Sequence, residues 1–381
     1  MKHKIKILIL CIVSIFMLSG CTGGDLLQQR EKKAAQSNTI LIGVPVPMDF
    51  ARENTKFLQG IELAVEDINA AGVNGKKIEV EIVDDKGIFK NAVDIAQMFS
   101  ENTEMIAVIG HWYSDICIPI AKIYEEAGML NIVPTVSNPE LTEKGYKYVF
   151  QNITSDNEIA RKICSHAKAQ GYDKVVIYYE ESSYGENLAY AIEAAAKKNE
   201  IKVVDRTAGL VTVDQFRKAH DKWKALEFDA VLLALNMPEG GKVISELREL
   251  NQEAGIIAAD GLDVEHFSDE LGDKAEGVVI VTTYSPGYLN SELQGFIDRY
   301  QKKFNDKPDI WAIQGYESLQ LIACAIDATD SYSPTVIADY LHNMKKQKSI
   351  LGTISFNEHG ELEGRGIYTK VIIDGQTHYF N

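Results

Sequence analysis

Cysteine is scarce in this chain, and its spacing excludes the frameworks that cysteines usually build. Only five cysteines occur in 381 residues, no two of them form a C-x-x-C pair, and no histidine stands at metal-ligand spacing. After Cys11 and Cys21, three remain, far apart in apolar or helical segments: Cys117, Cys164 and Cys324. We therefore expect buried free thiols, no metal site and no cofactor. A chain of this size can bury enough apolar surface without crosslinks.

Basic residues are also in short supply. The chain has 39 Lys and Arg against 55 Asp and Glu, a formal net charge of −16. Removal of the first 20 residues, which hold three lysines and no acid, would bring this charge to about −19. Such an acidic chain is a poor partner for nucleic acids or anionic membrane surfaces. The length suggests two domains.

Long apolar runs are limited to one, at the start of the chain. Lysines at three of the first six positions precede an apolar run over 7–18, and Leu18-Ser19-Gly20-Cys21 closes the segment. This pattern is typical of an export signal, and the run is too short for a membrane span of about twenty residues. Cys21 after Leu-Ser-Gly resembles the bacterial lipobox, which implies a signal peptide over 1–20 and a lipid on Cys21. The alternative is an ordinary secretory signal with an incidental cysteine. Both place the protein outside the cytoplasm, and the first anchors it to the cell membrane.

The rest of the chain alternates between strand and helix patterns. Residues 21–38 are polar and lack periodicity, which predicts a flexible tether. A buried-strand pattern over Thr39–Val46 and a helical pattern over Phe57–Ala71 then begin a series that restarts near Asn157. Such alternation predicts an α/β fold with parallel sheets. Two series of similar length suggest two lobes of like topology.

Two segments carry a family resemblance, Val108-Ile109-Gly110-His111-Trp112-Tyr113-Ser114 and Ile132-Val133-Pro134-Thr135-Val136-Ser137-Asn138-Pro139-Glu140-Leu141-Thr142. They resemble the leucine/isoleucine/valine-binding family of solute receptors for ABC importers, the type I periplasmic binding proteins. Further matches are Gly60–Asn69, Asp84-Asp85, Ser183-Tyr184-Gly185, Ala275-Glu276-Gly277 and Phe356–Gly360. The resemblance covers nearly all of 39–380. It implies two doubly wound, Rossmann-like lobes joined by a three-strand hinge, a Venus-flytrap architecture with the ligand in the cleft.

The resemblance also implies a division of the chain. Lobe one would comprise 39–155 plus 286–351, and lobe two would comprise 156–285 plus 352–381. The restart of the strand–helix series near Asn157 agrees with this division, as do the final strands, which stand out of order.

Ser114, Thr135 and Ser137 are the ligand-binding candidates from lobe one. Ser114 follows a strand and precedes a helix, so its hydroxyl and the free N–H groups of that helix start suit a carboxylate. The alternative makes Ser114 or Asp115 a simple helix cap, a role that suits Asp115 better. The resemblance implies that the Thr135 carbonyl meets an ammonium and that Ser137 offers its N–H and hydroxyl. A polar turn is the alternative for both.

Asp260 and Tyr184 are the candidates from lobe two. A buried α-ammonium needs an anion, because an unpaired charge in a cleft is costly. The resemblance implies this role for Asp260, where related receptors often carry the longer Glu, and it makes Tyr184 an aromatic contact. A capping Asp and an ordinary loop Tyr are the alternatives.

Four aromatic residues and one amide complete the predicted site: Trp112, Tyr113, Trp311, Phe50 and Asn236. The resemblance implies that Trp112 and Trp311 line the side-chain pocket, where Trp112 would narrow the pocket or stack on a planar group. A core tryptophan is the alternative for each. Asn236 stands where an aromatic residue is frequent, so the pocket departs from the Leu/Ile/Val pattern.

No catalytic constellation or Gly-rich phosphate motif emerges, so we expect a binding protein rather than an enzyme. His111 is expected to pack locally, and the acidic pairs Asp84-Asp85 and Glu180-Glu181 to be solvated strand ends. The resemblance implies a monomeric solute-binding lipoprotein that delivers a small, aliphatic amino acid to an ABC permease. The alternatives are a ligand-sensing receptor of the same fold for an amide, small carboxylate or aromatic compound, and an exported enzyme.

Overall fold

The structure is a computed structural model that describes residues 23–250, 253–264, 266–285 and 290–380. The predicted signal peptide and the predicted lipidation site, Cys21, lie outside the described residues. Among the described helices, none is long and apolar enough to cross a membrane.

The first series of elements builds most of lobe one. Its elements, in chain order, are α1 (Gly23–Gln36), β1 (Thr39–Val46), α2 (Met48–Glu53), α3 (Phe57–Ala71), β2 (Lys77–Asp84), α4 (Phe89–Glu101), β3 (Met105–Ile109), α5 (Ser114–Glu126), β4 (Leu130–Val133), α6 (Glu140–Glu143) and β5 (Val149–Gln151).

The second series builds lobe two. Its helices and strands are α7 (Asp156–Ala169), β6 (Lys174–Tyr179), α8 (Ser183–Lys198), β7 (Lys202–Ala208), α9 (Val213–Ala225), β8 (Ala230–Ala234), α10 (Glu239–Glu249), β9 (Gly255–Ala258), α11 (Phe267–Leu271) and β10 (Val278–Thr282). Two 3₁₀ turns, Asp260–Leu262 and Gly272–Ala275, flank α11.

The third series serves both lobes. Its elements are α12 (Ser291–Phe304), α13 (Ile310–Thr329), α14 (Pro334–Asn343), β11 (Gln347–Ser349), β12 (Gly352–Phe356), β13 (Leu362–Glu363), β14 (Tyr368–Ile373) and β15 (Gln376–Phe380). The three helices and β11–β13 lie with lobe one, whereas β14 and β15 extend the sheet of lobe two.

Each lobe is built on a largely parallel sheet, as the alternating pattern predicts. Lobe one holds five parallel strands in the order β2-β1-β3-β4-β5. The sheet of lobe two has the order β15-β14-β10-β9-β8-β6-β7, in which five strands are parallel and β14 and β15 are added antiparallel at one edge. The central strand β3 is buried at all five positions, which is typical of a parallel strand covered by helices on both faces. The predicted two-lobed α/β fold is confirmed.

The last boundary between the lobes falls later than predicted. Residues 352–363 were expected in lobe two, but Ile354, Phe356 and Leu362 are buried in the core of lobe one. The chain therefore crosses to lobe two between Glu363 and Tyr368. The reason is packing, because the small β11–β12–β13 sheet presents its apolar side chains to α14 and Phe150.

The predicted flexible tether over 21–38 is wrong for most of its length, since Gly23–Gln36 forms helix α1. Within α1, Arg30 and Ala34 are buried against lobe one. The polar composition concealed this packing, because a buried arginine leaves no hydropathy signal. The thiols of Cys117 and Cys164 are free and buried as expected, and burial raises the pKa of each to about 12, whereas Cys324 is free but only partly buried.

Candidate functional site

A cavity of about 220 Å³ lies between the two lobes. Lobe one contributes five of its lining residues and lobe two contributes four: Trp112, Tyr113, Ser114, Asp115 and Thr135, then Glu180, Ser182, Tyr184 and Asn236. All of them follow the carboxyl ends of parallel strands, where open α/β sheets bind ligands. The cavity therefore forms only when the carboxyl-end edges of the two sheets face each other.

Ser114 occupies the start of α5, at the cavity wall. The residue before it, Tyr113, is the N-cap and makes no side-chain capping hydrogen bond. The N–H of Ile116 already donates to the carbonyl of Tyr113 at 3.1 Å, whereas the N–H groups of Ser114 and Asp115, at the cavity wall, come too early in the helix to have an intrahelical acceptor. Both capping alternatives, Ser114 and Asp115, are wrong.

Asp115 instead reaches across the cavity to lobe two. Its carboxylate accepts a hydrogen bond from the backbone N–H of Ser183, with Oδ1 at 3.1 Å. Ser183 opens α8, and the N-cap Ser182 accepts from the N–H of Gly185. The N-termini of α5 and α8, from opposite lobes, thus lie close together at this site. The Asp115 carboxylate is favourable at the N-terminus of α8, because that end of a helix carries partial positive charge.

Thr135 lines the cavity, but its hydroxyl is used within lobe one. Thr135 Oγ1 donates to the carbonyl of Trp112 at 3.1 Å and lies 3.3 Å from that of His111. The His111 ring is buried as predicted, with Nδ1 2.7 Å from a carboxylate oxygen of Asp85. Asp85 is buried, so the expectation of a solvated strand end is wrong there, since the imidazole pairs with the carboxylate.

Ser137 lies behind the cavity rather than in its wall. It is buried, and its carbonyl accepts the N–H of Asp156 at 2.9 Å. The Asp156 carboxylate accepts from Asn187 Nδ2 at 3.0 Å. Burial raises the pKa of Asp156 to about 6, despite this hydrogen bond. Sequence reasoning missed Asp156, which begins the first helix after the lobe crossing.

Tyr184 and Asp260 form the lobe-two side of the site. The Tyr184 hydroxyl donates to Asp260 Oδ1 at 3.3 Å, and Asp260 is buried behind this ring. Burial, with the negative charges of Asp156 and Asp263, raises the pKa of Asp260 to about 7. A buried carboxyl of this kind is stabilised by an arriving cation. A Cβ on Gly261 would lie 2.4 Å from the Leu235 carbonyl oxygen, so glycine allows this close turn.

Glu180 and Asn236 form a polar part of the cavity wall. Only Asn236 was predicted as a site residue. Asn236 donates its backbone N–H to Glu180 Oε2 at 2.7 Å and its Nδ2 to Oε1 at 2.9 Å, and Ser182 Oγ donates to Oε1 at 2.6 Å. Glu180 is therefore not a solvated strand end, although Glu181 is exposed. The missed signal was the position of Glu180 directly after β6, at the same sheet edge as Asn236.

The predicted aromatic residues form one cluster beside the cavity. The ring centroids of Trp112 and Trp311 lie 5.2 Å apart, and those of Phe50 and Trp112 lie 5.5 Å apart. Trp112 and Tyr113 line the cavity, whereas Trp311 and Phe50 stand behind them. Trp311 Nε1 donates to the carbonyl of Asp263 at 2.9 Å, a direct contact between the lobes.

A two-lobed α/β architecture with a cavity between the carboxyl edges of its sheets defines a bilobed solute receptor. Residues 39–375 match the family described as "Periplasmic binding protein", so the chain belongs to that family. The predicted resemblance to the leucine/isoleucine/valine-binding group is confirmed at the level of family and fold.

Three relatives illustrate the similarity. The chain is 28% identical over 330 residues to the Leu/Ile/Val-binding protein homolog 1 of Brucella abortus, a match that covers 84% of this chain and 86% of that protein. It is 32% identical to an ABC transporter substrate-binding protein from Desulfitobacterium hafniense solved in complex with Leu, with a TM-score of 0.82 over 90% of this chain and 100% of that one. LivJ from Streptococcus pneumoniae, solved in complex with isoleucine, gives 25% identity and a TM-score of 0.79 over 90% and 99% of the two chains.

The contact between Asp115 and Ser183 yields a first prediction. Replacing Asp115 with Asn removes the negative charge that strengthens this hydrogen bond between the lobes, so the closed state becomes less populated and ligand affinity falls by roughly threefold to tenfold. Calorimetric titration measures the affinity, and small-angle scattering of the ligand-free protein measures the opening. Glu126→Gln, on the exposed part of the same helix, is the control. Equal affinities for wild type and Asp115→Asn would show that the contact does not favour closure.

Proposed function

We propose that this protein is an extracytoplasmic solute-binding lipoprotein of an ABC importer. It binds a small amino acid between its lobes, most simply a branched-chain or aliphatic one, and delivers it unaltered to the permease. The observation that carries this proposal is the interlobe cavity, whose wall comes from both lobes. A ligand that touches both walls stabilises the closed form by its differential affinity for that form.

The charges around the cavity suit a zwitterion. The uncapped N-terminus of α5 and the Ser114 hydroxyl offer donors to a carboxylate. On the other side, Tyr184 separates the cavity from Asp260, and Asp156 lies near Asp260. An ammonium that displaces or passes the Tyr184 hydroxyl would meet the buried Asp260 carboxylate, whose ionised form it would stabilise. These two poles support an amino acid with its carboxylate toward α5 and its ammonium toward Asp260.

The predicted site residues divide into two groups on this proposal. Ser114, Thr135, Tyr184, Asn236, Trp112 and Tyr113 contact the ligand directly. Asp260 and Ser137 act from just behind the wall, whereas Trp311 and Phe50 hold the aromatic side of the cavity in place.

Delivery and anchoring rest on the sequence and on the names of the relatives. The Desulfitobacterium hafniense relative is described as an ABC transporter substrate-binding protein and LivJ as a branched-chain amino acid transporter substrate binding protein, which supports a permease as the partner. A lipid on Cys21 would hold the monomer at the outer face of the cell membrane.

The polar wall favours a second candidate for the ligand. Glu180 and Asn236 place a carboxylate and an amide at the cavity wall. An amino acid whose side chain carries hydrogen-bond donors, such as an amide, could donate to Glu180 or to the Asn236 oxygen. An aliphatic side chain offers no donor, so Glu180 would then accept only from Asn236 and Ser182.

A thermal-shift screen tests the proposal. Leucine, isoleucine, valine, glutamine, asparagine and benzoate are each added to the purified protein, and the melting temperature is followed against concentration. A true ligand at 100 times its Kd stabilises the folded state by about 2.7 kcal/mol. Stabilisation by the aliphatic set supports the first candidate, and stabilisation by the amides alone supports the second. If no amino acid raises the melting temperature, the proposal fails.

A further inference from the structure

One short segment supplies most of the lobe-one wall of the cavity. Trp112, Tyr113, Ser114 and Asp115 come shortly after the end of β3 and are four of the five lining residues from that lobe. We call residues 112–115 the wall segment. Its position decides where a ligand would meet the Ser114 hydroxyl and the start of α5.

His111 directly precedes the wall segment, and its ring is held on both sides. Nδ1 lies 2.7 Å from Asp85 Oδ2, and Nε2 lies 3.1 Å from the hydroxyl of Tyr124. Because a carboxylate only accepts hydrogen bonds, Nδ1 carries a proton and donates it to Asp85. All three side chains are at most 1% exposed, so water cannot replace either partner without opening the lobe. A ring that moved away would leave buried polar groups unpaired, which is costly.

Asp85 connects His111 to the loop that follows β2. Its other carboxylate oxygen, Oδ1, accepts from the backbone N–H of Gly87 at 2.9 Å. The N–H of Asp85 itself donates to the carbonyl of Val46, the last residue of β1, at 3.0 Å. A Cβ on Gly87 would lie 2.9 Å from the Tyr113 ring, so this loop packs directly against the wall segment. One carboxylate therefore holds both the ring before the wall segment and the loop beside it.

The other contacts of His111 are to residues of α5 and of the segment after β4. Tyr124 belongs to α5, the helix that begins with Ser114, so its hydroxyl links the ring to the helix that follows the wall segment. Thr135 Oγ1 lies 3.3 Å from the His111 carbonyl and 3.1 Å from the Trp112 carbonyl. Of the two ring contacts, the one to Asp85 is the contact that locates the wall segment relative to β1 and β2.

We propose that His111 is a positioning residue for ligand binding and that it acts through its hydrogen bond to Asp85. This role rests on the proposed binding function, because its consequence is the placement of Ser114 toward a ligand carboxylate. The His111 side chain is fully buried behind the cavity, so it makes no ligand contact of its own. It keeps the wall segment ordered in the empty receptor, and binding then costs less ordering of the protein.

Two substitutions of His111 separate the two contacts of its ring. In His111→Asn the amide nitrogen takes the place of Nδ1 and keeps the bond to Asp85, whereas in His111→Gln it takes the place of Nε2 and that bond is lost. We expect His111→Gln to raise the Kd for L-leucine at least about tenfold and His111→Asn to keep it within about threefold of wild type. Calorimetric titration well below the melting temperature measures both. His359→Gln, at an exposed histidine of lobe one, is the matched control and leaves the Kd unchanged.

Hydrogen exchange of the ligand-free protein distinguishes positioning from general stability. The N–H groups of Ile116 and Cys117 both donate to the carbonyl of Tyr113, at 3.1 Å and 2.8 Å, so they report on the order of the wall segment. His111→Gln is expected to speed exchange at these two amides at least about tenfold and to leave the amides of α13 within about twofold of wild type. His111→Asn leaves both sets unchanged. A residue that only stabilised the fold would speed exchange throughout lobe one and keep the leucine Kd.

Asp85→Asn tests the same hydrogen bond from the other side. The carboxylate accepts from both Gly87 and His111, whereas an amide has a single acceptor oxygen and gives up one of these bonds. The leucine Kd is expected to rise by about threefold to tenfold, with faster exchange at Ile116 and Cys117. Because this change keeps the size of the side chain, it also serves if His111→Gln does not fold.

Three results would overturn this role for His111. The first is a wild-type leucine Kd in His111→Gln or, should that variant not fold, in Asp85→Asn. The second is unchanged exchange at Ile116 and Cys117 in the same variants, and the third is a loss of affinity in His111→Asn as large as that in His111→Gln. If wild-type protein does not bind leucine, the proposed aliphatic ligand fails, and the exchange measurement alone then decides whether His111 orders the wall segment.

Discussion

Asp260→Asn is expected to weaken amino acid binding by at least about 100-fold, which corresponds to about 2.7 kcal/mol. The ammonium of the ligand would enter a buried region and lose its water, and the Asp260 carboxylate would offset much of that loss. Asparagine keeps the size of the side chain and can still accept from the Tyr184 hydroxyl, so the change removes charge more than shape. Isothermal titration at pH 8, where the wild-type carboxyl is ionised, measures the effect with the ligand found in the thermal-shift screen.

Asp269→Asn is the matched control for this measurement. Its side chain is 86% exposed on α11, so its loss should leave affinity within about twofold of wild type. An Asp260→Asn protein that binds an amino acid as tightly as wild type would exclude Asp260 as the ammonium partner. In that case Asp156, the other buried carboxyl near the site, would be the next candidate.

The same substitution is expected to stabilise the ligand-free protein at alkaline pH. The pKa of Asp260 is raised to about 7 in the folded chain, from an ordinary value of 3.8. Between these two pH values the folded state therefore holds a proton that the unfolded state has lost, and the free energy of unfolding falls as pH rises through this window. At pH 8 the full cost of the buried charge is present, about 4 kcal/mol. Asp260→Asn removes that cost.

Urea unfolding at two pH values checks this prediction. The gain in unfolding free energy for Asp260→Asn is expected to be up to about 4 kcal/mol at pH 8 and below about 2 kcal/mol at pH 5, where the wild-type folded state is already protonated. The exposed control Asp269→Asn should show no comparable pH-dependent gain. A variant less stable than wild type at pH 8 would mean that the Asp260 carboxylate is paired in the ligand-free protein.

Together the two expected results describe a residue retained for function at a cost in stability. Buried, unpaired charge is unfavourable in the empty receptor and becomes favourable when a cationic group arrives. Binding energy and folding energy are therefore linked at Asp260, because the ligand relieves an electrostatic penalty that the empty fold carries.

Much of the fold follows from local patterns in the chain. The predicted strand Thr39–Val46 matches β1 at both ends, and the predicted helix Phe57–Ala71 matches α3 at both ends. Their apolar residues recur with the period of a buried strand or of one helix face. A parallel sheet covered by helices needs buried strands and helices with one apolar face, so these patterns are strong in this fold. Short elements such as α2 and β5 were missed, because a few residues carry too little periodicity and are held by neighbours distant in sequence.

The candidate site shows the same division between local and distant information. Ser114 and Thr135 line the cavity, and their positions directly after strands point to this shared sheet edge, whereas Tyr184, also at the wall, was proposed from the family resemblance. It misjudged Asp115 and Glu180, whose partners, Ser183 and Asn236, lie 68 and 56 positions away. Whether a carboxylate is solvated or paired depends on such partners, so residue type alone cannot decide it.

The order of strands and helices and its division into two α/β series were determined by the sequence itself, since hydrophobic periodicity and strand ends are local properties, and the family resemblance added the cleft between two lobes. Only the tertiary structure decided that Arg30 docks α1 onto lobe one, that residues 352–363 belong to the lobe-one core, and that Asp156 and Asp260 share one buried region. Each of these depends on which carbonyls, apolar faces or charges meet across large sequence separations. The burial of a side chain and the identity of its partner depend on the folded chain, and they cannot be read from a short stretch of sequence.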